Sequence, residues 1–374
     1  MRAAVNARID LSAIEHNTRV LRDVAGPAQV MAVVKAEGYG HALVESARAA
    51  QAGGATWLGA AVIGEALRLR QAGIRGPVLA WLHSPGDRWA EAVDQDIDVS
   101  VGARWTLREI EEAAQQVGKP ARVHLEFDSG MGRGGCPRGE WRALVKLTLR
   151  AQRAGHVSVV GLWSHLASAD LIGAPTTDAQ VDAFREALEE AERLGVRPEV
   201  RHLANSAATF LHPRARFDLV RPGIALFGLS PLPAPWEPAS FGLRPAMTLT
   251  ARLALVKKVP PGHGVSYSHA YVTARESTPG LVPVGYADGI PRGATNLCQV
   301  SVAGQRRRIV GRVCMDQFVV DFGHDACDLD EEVVIFGPGE DGEPTIGEWA
   351  QQLDTIPNEI VSRLAHTRIA RQYV

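Results

Sequence analysis

The chain of 374 residues has few cysteines, no excess of either charge and no long hydrophobic run. Its four cysteines contain no CxxC pair, which argues against a disulfide-stapled scaffold and is typical of a reducing, cytoplasmic environment. Because 40 basic residues face 42 acidic ones, the net charge of −2 gives no field that would attract nucleic acid or an acidic membrane. No stretch approaches the ~20 apolar residues of a membrane span, and the polar N-terminus lacks the apolar segment of a signal peptide. These absences predict a cytoplasmic protein that binds neither nucleic acid nor membranes.

The sequence does contain a regular alternation of β-rich runs and amphipathic segments over its first two-thirds. The strand-like runs span residues 30–35, 56–60, 78–81, 97–101, 122–127, 158–163, 200–203 and 219–221. Strands that alternate with helices form a parallel sheet, and about eight of them favour a closed barrel. We therefore predict an α/β fold, an N-terminal (β/α)8 TIM-like barrel that occupies residues 1–235.

Helix boundaries within this region are predicted from capping patterns. Thr106 and Thr177 each stand three residues before Glu or Gln, which predicts a capping box at the start of a helix. Gly118 and Gly195 follow the periodic apolar residues and predict where the two helices end. Ser12, three residues before a glutamate, predicts the start of a further helix.

The pattern changes at PLPAPWEP, where four prolines in eight residues (231–238) indicate a stiff linker. Strand-like runs separated by Gly-rich turns follow it, for example GLVPVGYADG and EEVVIFG. We predict a mostly antiparallel β-strand C-terminal domain at residues 236–374, with a short helix near 346–353 that follows Thr345.

Lys35 ends the first predicted strand, which reads QVMAVVK. The carboxyl ends of barrel strands form the catalytic face, and an apolar strand would place the ammonium against a dry wall that lowers its pKa. Most lysines at strand ends are simply solvated, but a lysine with a lowered pKa suits Schiff-base chemistry. Lys35 is therefore a candidate for binding a carbonyl cofactor.

The fifth predicted strand leads into DSGMGRGG, whose glycines spell GxGxxG. A dinucleotide site of that kind needs an acidic residue about 20 positions later, and GLWSHLAS supplies none there. We interpret the glycines as a loop that lets Arg133 reach the barrel mouth, where its planar guanidinium could bind a carboxylate.

Further candidates follow the last three predicted strands. His165 follows the sixth, where a satisfied core histidine is the alternative. The loops after the seventh and eighth are those in which TIM barrels commonly bind phosphate through backbone N–H groups. Here they offer the Ser206 hydroxyl, the amides of Gly223 and Ile224, and the inward-pointing Arg221. A lysine, a phosphate loop and a buried arginine together predict a pyridoxal phosphate (PLP) site.

The C-terminal region holds a second group of candidates. GVSYSHAY carries Tyr267, GYADG carries Tyr286 and GRVCMDQF carries Met315, although each also fits an ordinary strand or packing position. A metal site built from residues 324–328 (HDACD) is disfavoured because its spacing matches no zinc pattern. We predict no bound metal.

Taken together, these motifs resemble those of the alanine racemase family along essentially the whole chain. AVVKAEGYGH resembles the family's PLP-lysine signature, and GMGR, SH, ANSA, RPGIALFG, VSY, GYADG and GRVCMDQ follow in the family's order and spacing. The resemblance implies a PLP-dependent enzyme of fold type III that interconverts L- and D-alanine and supplies D-alanine for peptidoglycan. It also implies a homodimer whose active sites are shared between subunits.

The resemblance carries specific roles to the matching positions. Lys35 would hold PLP covalently and act as one base, and Tyr267 of the partner subunit would be the opposite base. His165 would join that tyrosine to Arg221, which would face the pyridine nitrogen and leave it unprotonated. The groups that would hold the phosphate are Tyr39, Ser206, Gly223 and Ile224. The substrate carboxylate would be bound by Arg133 and the backbone N–H of Met315, and Tyr286 would be a supporting residue.

The sequence departs from the family pattern at two positions. Glu126 stands where many members have a carbamylated lysine, and we predict that it supplies the same negative charge and orients Arg133. Asn358 stands where the family usually has a tyrosine, and we predict room for serine as a second substrate beside alanine.

Two other functions are compatible with a PLP barrel. A non-catalytic PLP carrier would lack the β domain, so Tyr267 and the CMDQ motif disfavour it. A fold-type III amino-acid decarboxylase would place an acid opposite the pyridine nitrogen, so Arg221 disfavours that function.

Overall fold

The structure is a computed structural model that describes residues 4–365 and 368–374. These residues form two compact units. The barrel unit contains residues 15–38 and 43–226, and the sheet unit contains residues 4–14, 39–42 and the described part of 227–374. In chain order the strands are β1 (Val5–Ile9), β2 (Gln29–Val33), β3 (Trp57–Ala60), β4 (Val78–Ala80), β5 (Asp98–Val101), β6 (Ala121–Glu126), β7 (Val157–Trp163), β8 (Val200–His202), β9 (Leu219–Val220), β10 (Met247–Arg252), β11 (Leu255–Val256), β12 (Gly264–Val265), β13 (Tyr271–Val272), β14 (Pro279–Val282), β15 (Gln299–Val302), β16 (Gln305–Val310), β17 (Phe318–Asp321), β18 (Glu332–Phe336) and β19 (Ala370–Tyr373).

Strands β2 to β9 close into a barrel of parallel strands. The barrel closes where β2 pairs with β9, with Gln29 opposite Leu219. Parallel strands are covered on both faces, which is why they are almost continuously apolar in sequence. A buried cluster inside the barrel unit comprises Met31, Trp57, Leu79, Val160, Val200 and Leu219. The predicted (β/α)8 barrel is confirmed.

Helices connect most of the barrel strands. Apart from the short segment Lys35–Tyr39, whose central residues are left-handed, the α-helices of the described residues are Leu11–Ala25, Leu43–Ala52, Ile63–Gln71, Trp89–Asp94, Arg104–Val117, Arg138–Arg153, Pro175–Leu194, Ser206–Leu211, Ile346–Gln352 and Pro357–Ser362. Among the residues that the structure describes, none of these helices has both the length and the apolar character that crossing a membrane requires.

The predicted helix ends agree with the structure better than the predicted starts. Gly118 and Gly195 end their helices in the left-handed conformation, with φ of 74° and 112°. The helix predicted to start at Thr106 begins at Arg104, and Thr106 is buried on its inner face. The second helix begins at Pro175 because proline is favoured in the first turn, where no N–H is needed.

The start of the helix Leu11–Ala25 was also assigned to the wrong residue. The carboxylate of Asp10 accepts hydrogen bonds from the Ala13 backbone N–H at 3.0 Å and from the Ser12 hydroxyl at 2.7 Å. Asp10 therefore caps the helix, and the Ser12 hydroxyl donates to it instead of accepting from the backbone.

The sheet unit is built on a nine-stranded sheet in the order β11-β14-β17-β16-β15-β18-β10-β1-β19. Its neighbours pair antiparallel except for β1 and β19, which are parallel. The predicted, mostly antiparallel β domain is confirmed. Its short helix Ile346–Gln352 follows Thr345, whose hydroxyl accepts from the Glu348 backbone N–H at 3.1 Å, as the sequence predicts.

Candidate active site

Lys35 lies just beyond the end of β2, at the carboxyl ends of the barrel strands. Its Nζ atom lies 5.9 Å from the centroid of the Trp81 ring. Burial lowers the pKa of Lys35, and the positive charges of Arg133 and Arg221 lower it further, although the carboxylate of Glu65 opposes them. A larger fraction of the amine is therefore neutral and nucleophilic than for a solvated lysine.

The backbone that follows Lys35 makes a left-handed turn. Ala36, Glu37 and Gly38 have φ of 52°, 55° and 60°, a conformation that costs free energy in residues other than glycine. The carboxylate of Glu65 accepts a hydrogen bond from the Ala36 N–H at 2.7 Å, and an ion pair joins Glu37 to Arg68. Strain that the surroundings hold in place is typical of functional sites, and here it fixes the chain beside Lys35.

Arg221 is buried directly after β9 and binds three groups of the barrel unit. Its Nη2 donates to the Ser164 carbonyl oxygen at 2.8 Å and to Nδ1 of His165 at 3.2 Å. Its Nη1 donates to Nδ1 of His202 at 3.2 Å, and the guanidinium lies 4.9 Å from the Trp163 ring centroid. Burial lowers the pKa of Arg221 to about 9, with Glu126 opposing, so the group remains positive at neutral pH.

His165 is neutral and has a defined tautomer. Burial, followed by the charges of Arg221, Arg133 and Lys35, lowers its pKa to about 3. Because a guanidinium can only donate, Nδ1 of His165 must accept the bond from Arg221. The single ring proton is then on Nε2, so His165 offers a hydrogen-bond donor on its other edge.

Ser206 joins the loops that follow β8 and β9. Its hydroxyl oxygen accepts hydrogen bonds from the backbone N–H groups of Gly223 at 2.8 Å and Ala225 at 3.4 Å. Ile224 begins the 3-10 turn Ile224–Phe227 between these amides. The structure thus brings Ser206, Gly223 and Ile224 together at the carboxyl ends of the strands, where TIM barrels commonly bind phosphate, and in this arrangement the Ser206 oxygen occupies the Gly223 N–H.

The GxGxxG segment folds around the side chain of Asp128. One oxygen of that carboxylate accepts from the backbone N–H groups of Gly130, Met131 and Gly132 at 3.0, 2.9 and 3.1 Å. These amides are therefore occupied by Asp128, and Arg133 extends from the loop as an exposed cation.

Glu126 ends β6 in an environment that favours its neutral form. Burial raises the pKa of Glu126 to about 7, against the lowering effects of Arg221, the Ser100 hydrogen bond and Arg133. The Ser100 hydroxyl donates to Glu126 at 3.4 Å and accepts from Trp163 Nε1 at 3.0 Å. Among the described residues no hydrogen bond or ion pair joins Glu126 to Arg133, so these two side chains interact through their charges alone.

Tyr267 is the most exposed candidate residue of the sheet unit. Its side chain is 70% exposed and lies in the 3-10 turn Tyr267–His269. Ser266 and Ser268 on either side have φ of 64° and 57°, and the Ser266 hydroxyl donates to the Arg312 carbonyl oxygen at 2.6 Å. A strained backbone on both sides of an exposed tyrosine is typical of a functional position.

The turns that carry Tyr286 and Met315 are bonded to each other. Tyr286 N–H donates to the Cys314 carbonyl oxygen at 3.0 Å, and Ala287 N–H donates to the Met315 carbonyl oxygen at 2.9 Å. The Met315 N–H has no hydrogen-bond acceptor among the described residues, so it is available to an external carboxylate.

The other two candidates of the sheet unit have different surroundings. Tyr39 is buried, with its ring centroid 5.3 Å from that of Phe227. Asn358 is half-buried at the second position of the helix Pro357–Ser362.

Arg368 is a residue that sequence reasoning missed. Its Nε donates to Asp288 at 2.5 Å and its Nη2 donates to Asp316 at 2.5 Å, so it connects the GYADG and CMDQ segments. The signal in the sequence was weak, since one arginine far along the chain does not show which aspartates it contacts.

Comparison with known proteins decides the family. The alanine racemase N-terminal domain model matches residues 9–231, and the alanine racemase C-terminal domain model matches residues 246–373. The chain belongs to the alanine racemase family. The resemblance drawn from the motifs is therefore confirmed, and so is the prediction of an enzyme of the isomerase class.

Similar racemases match along the full length. The chain is 53% identical over 373 residues to the alanine racemase of Thermobifida fusca, covering 100% of this chain and 99% of that one. It is 53% identical over 368 residues to that of Frankia casuarinae, covering 98% and 96%. The crystal structure of the alanine racemase from D-cycloserine-producing Streptomyces lavendulae matches with a TM-score of 0.98 and 52% identity, covering 100% of this chain and 98% of that one.

For this racemase the structure therefore shows two groups of candidates, each within one unit. The barrel unit holds Lys35, Arg133, His165, Ser206, Arg221, Gly223, Ile224 and Glu126. The sheet unit holds Tyr39, Tyr267, Tyr286, Met315 and Asn358.

Proposed function

We propose that the racemase interconverts L- and D-alanine with PLP bound covalently to Lys35. The observation that carries this proposal is the environment of Lys35, whose pKa is lowered by burial beside two arginines at the carboxyl ends of the barrel strands. A nucleophilic amine at this position suits a carbonyl cofactor. A decarboxylase would have an acidic residue opposite the pyridine nitrogen, where this chain has Arg221.

The residues of the barrel unit fit PLP in three respects. Lys35 offers the amine, the Ser206 and Gly223 loops offer phosphate contacts, and Arg221 offers donors for the ring nitrogen. Ile224 would also contact the phosphate, and Tyr39, which belongs to the sheet unit, is proposed as a further phosphate ligand. When bound, PLP supplies an electron sink that acidifies the Cα proton of an amino acid.

Arg221 would hold the ring nitrogen without protonating it. Among the residues that the structure describes, Ser164, His165 and His202 use three of its five N–H groups, which leaves Nε–H and one N–H of Nη1. With a pKa of about 9 the guanidinium keeps its proton at neutral pH and donates only a hydrogen bond.

Two acid–base groups would act on opposite faces of the substrate. Racemisation removes a proton from one face of Cα and returns one to the other, so a single base is not enough. Lys35 would be one base, and Tyr267 of the partner subunit would be the other. A phenol holds its proton at neutral pH and is a poor base, but the Nε2–H of His165 would stabilise the tyrosinate.

Two groups are proposed to bind the substrate carboxylate. Arg133 extends from the glycine-rich loop as an exposed cation, and Met315 has an available backbone N–H. A guanidinium and an amide donor can together satisfy both carboxylate oxygens.

The rest of the biological assignment is also a proposal. We infer a homodimer with shared sites, a cytoplasmic location, and a role in supplying D-alanine for peptidoglycan. We place the boundary between the barrel-forming and β-forming parts of the sequence near residues 235 and 236, between the two segments that the family models match.

Incubation of the protein with PLP and L-alanine, followed by chiral chromatography, tests the proposed reaction. We expect the two enantiomers to approach equal amounts, because they have equal free energy in water. Bound cofactor with unchanged L-alanine would identify a PLP carrier. Loss of the carboxyl group as CO2 would identify a decarboxylase.

We expect Glu126→Gln to weaken alanine binding in a pH-dependent way. With a pKa of about 7, the carboxyl group is mostly neutral at pH 6 and mostly ionised at pH 8. If its negative charge orients Arg133, the KM of the variant should match that of the wild type at about pH 6 and exceed it several-fold at about pH 8. Steady-state kinetics at both pH values measure this, and wild-type activity should not depend on added bicarbonate.

Glu126→Gln should also change how the unfolding free energy of the cofactor-free protein depends on pH. The folded state holds the Glu126 proton more tightly than the unfolded state, whose pKa is about 4.5. The wild type should therefore lose about 3 kcal/mol of unfolding free energy as the pH rises from about 4.5 to 7, relative to Glu126→Gln. Parallel pH profiles in urea unfolding, or an unchanged KM at pH 8, would contradict the assignment.

We expect Asn358→Tyr to increase the preference for alanine over serine. Asparagine leaves more room than tyrosine, and its amide can bond a hydroxyl group. Losing that hydrogen bond and the space should shift the ratio of the two kcat/KM values by ~1–2 kcal/mol. Asn358→Leu is the control, since it removes the amide at similar size. An unmoved ratio in both variants would show that Asn358 does not set specificity.

A further inference from the structure

A row of buried polar side chains crosses the core of the barrel and ends on Arg221. Asp98 begins β5, His124 lies in the middle of β6, and His202 ends β8, and all three are fully buried. Burying a polar group without a partner costs about 1–3 kcal/mol, so polar side chains inside an apolar barrel need a hydrogen-bond network. Apart from the bond between His202 and Arg221, none of the three has been given a part in the chemistry proposed above.

The three side chains form consecutive contacts, from Asp98 to His124 and from His124 to His202. Asp98 Oδ2 lies 3.0 Å from Nε2 of His124, and Nδ1 of His124 lies 2.8 Å from Nε2 of His202. Nδ1 of His202 lies 3.2 Å from Nη1 of Arg221. At the far end of this row, Nε of Arg122 donates a hydrogen bond to Oδ1 of Asp98 at 2.7 Å.

The chemistry of the two ends fixes the direction of every bond. Arg221 can only donate, so Nδ1 of His202 accepts and the proton of this neutral ring is on Nε2. Burial, followed by the charges of Arg221 and His124, holds the pKa of His202 well below its ordinary value. His202 then donates to Nδ1 of His124, which leaves the His124 proton on Nε2, facing Asp98.

Asp98 is suited to receive this last hydrogen bond. Burial alone would raise its pKa, but the hydrogen bonds from His124 and Arg122 outweigh burial and hold the pKa below its ordinary value. The carboxylate is therefore ionised and accepts. A proton added to either ring would place two N–H groups face to face and break the chain.

The surrounding residues are shaped to hold these rings. A Cβ atom on Gly161, the residue paired with His124 across β6 and β7, would collide with the His124 ring. Trp57 packs edge-on against His124 at 5.5 Å, and Trp163 stacks on His202 at 5.9 Å. Gly161 thus leaves space for the His124 ring, and the two tryptophans restrict the orientation of the His124 and His202 rings.

We propose that Asp98, His124 and His202 form a one-directional hydrogen-bond chain that positions the guanidinium of Arg221. The inference rests on the proposed role of Arg221 at the cofactor ring. The bond from His202 fixes Nη1 while Ser164 and His165 fix Nη2, so the remaining N–H groups keep one direction. The carboxylate at the far end polarises both rings and strengthens the acceptor that Arg221 meets. All three are positioning residues that act through Arg221.

Histidine-selective 15N NMR of the wild-type protein, with and without PLP, reads the tautomers directly. We expect His124 and His202 to be neutral at pH 7 with the proton on Nε2, with their signals assigned by single substitution. A proton on Nδ1, or a doubly protonated ring, would overturn the proposal. This measurement needs no turnover, so its outcome does not depend on whether the protein racemises alanine.

A substitution in the holoenzyme tests the positioning role. His124→Phe keeps a ring but removes both hydrogen bonds, and kcat should fall on the order of tenfold to a hundredfold. KM for alanine should stay within about twofold, because Arg133 and Met315 are unchanged, and the visible spectrum of bound PLP should shift. Thr148→Val is the matched control, since it removes a buried hydroxyl that donates to the Leu144 carbonyl oxygen of its own helix at 3.0 Å. If both variants lose thermal stability while kcat and the spectrum of bound PLP stay unchanged, the hydrogen-bond chain stabilises the fold but does not position Arg221.

Discussion

Replacing Lys35 with alanine should abolish racemisation and the visible absorbance of bound PLP together. The amine of Lys35 is the group proposed both to hold the cofactor and to move a proton, so its removal takes away the attachment point and one of the two bases together. We expect kcat to fall at least ~10³-fold. An absorbance spectrum of the purified protein after incubation with PLP, with a racemase assay, measures both effects.

Two controls separate this loss from a general effect of removing a lysine. Lys119→Ala removes an exposed amine that pairs with Asp96 at 2.5 Å, and it should leave the absorbance and the rate unchanged. Lys35→Arg keeps a positive charge but offers no amine of lowered pKa, so it should be as inactive as the alanine variant. A Lys35→Ala protein that still binds PLP covalently would place the cofactor on another residue.

Replacing Tyr267 with phenylalanine should leave the cofactor in place and separate the two half-reactions. Racemisation must fall equally in both directions, because the equilibrium constant between the enantiomers is fixed at one. Exchange of the Cα proton with solvent should differ, since Lys35 still acts on one enantiomer. We expect exchange in D2O to be at least ~10²-fold faster from that enantiomer than from the other.

Tyr271→Phe is the matched control for Tyr267. Its hydroxyl donates to Asp321 at 2.7 Å within the sheet unit, so its loss should affect stability but not proton exchange. Equal exchange rates from both enantiomers in Tyr267→Phe would show that this tyrosine is not the second base.

The barrel could be predicted because its signal is local. Each buried parallel strand is a short apolar run that ends before an amphipathic helix, and the repetition gives the topology. The strand β1 was not predicted, although VNARI alternates apolar and polar residues, because a run of only five residues is a weak local signal and its partners β10 and β19 lie far along the chain. Its pairing is stabilised only by distant residues.

The candidate site divides along the same line. Lys35, Arg221 and Ser206 could be proposed because each follows a predicted strand, where the fold itself places functional groups. Asp98, His124 and His202 could not, because a single histidine inside an apolar strand fits ordinary core packing equally well. Only the distances between three strands show that these residues form one chain.

For Arg133 and Glu126, the sequence predicts the general position of the side chain but not its contacts or its pKa. The sequence predicts that its loop is open and glycine-rich, and the structure adds that Asp128 occupies the amides of that loop. The pKa of Glu126, about 7, could not be predicted from its position in the strand, since it depends on burial and on the charges of Arg221 and Arg133.

Mixed dimers of Lys35→Ala and Tyr267→Phe subunits test the central claim most directly, that each active site takes one base from each subunit. Each variant alone should be inactive. In an equal mixture half of the dimers are hybrids, and each hybrid has one site with both Lys35 and Tyr267, so about a quarter of wild-type activity should return. No recovery of activity after subunit exchange has been confirmed would contradict the shared, two-base site.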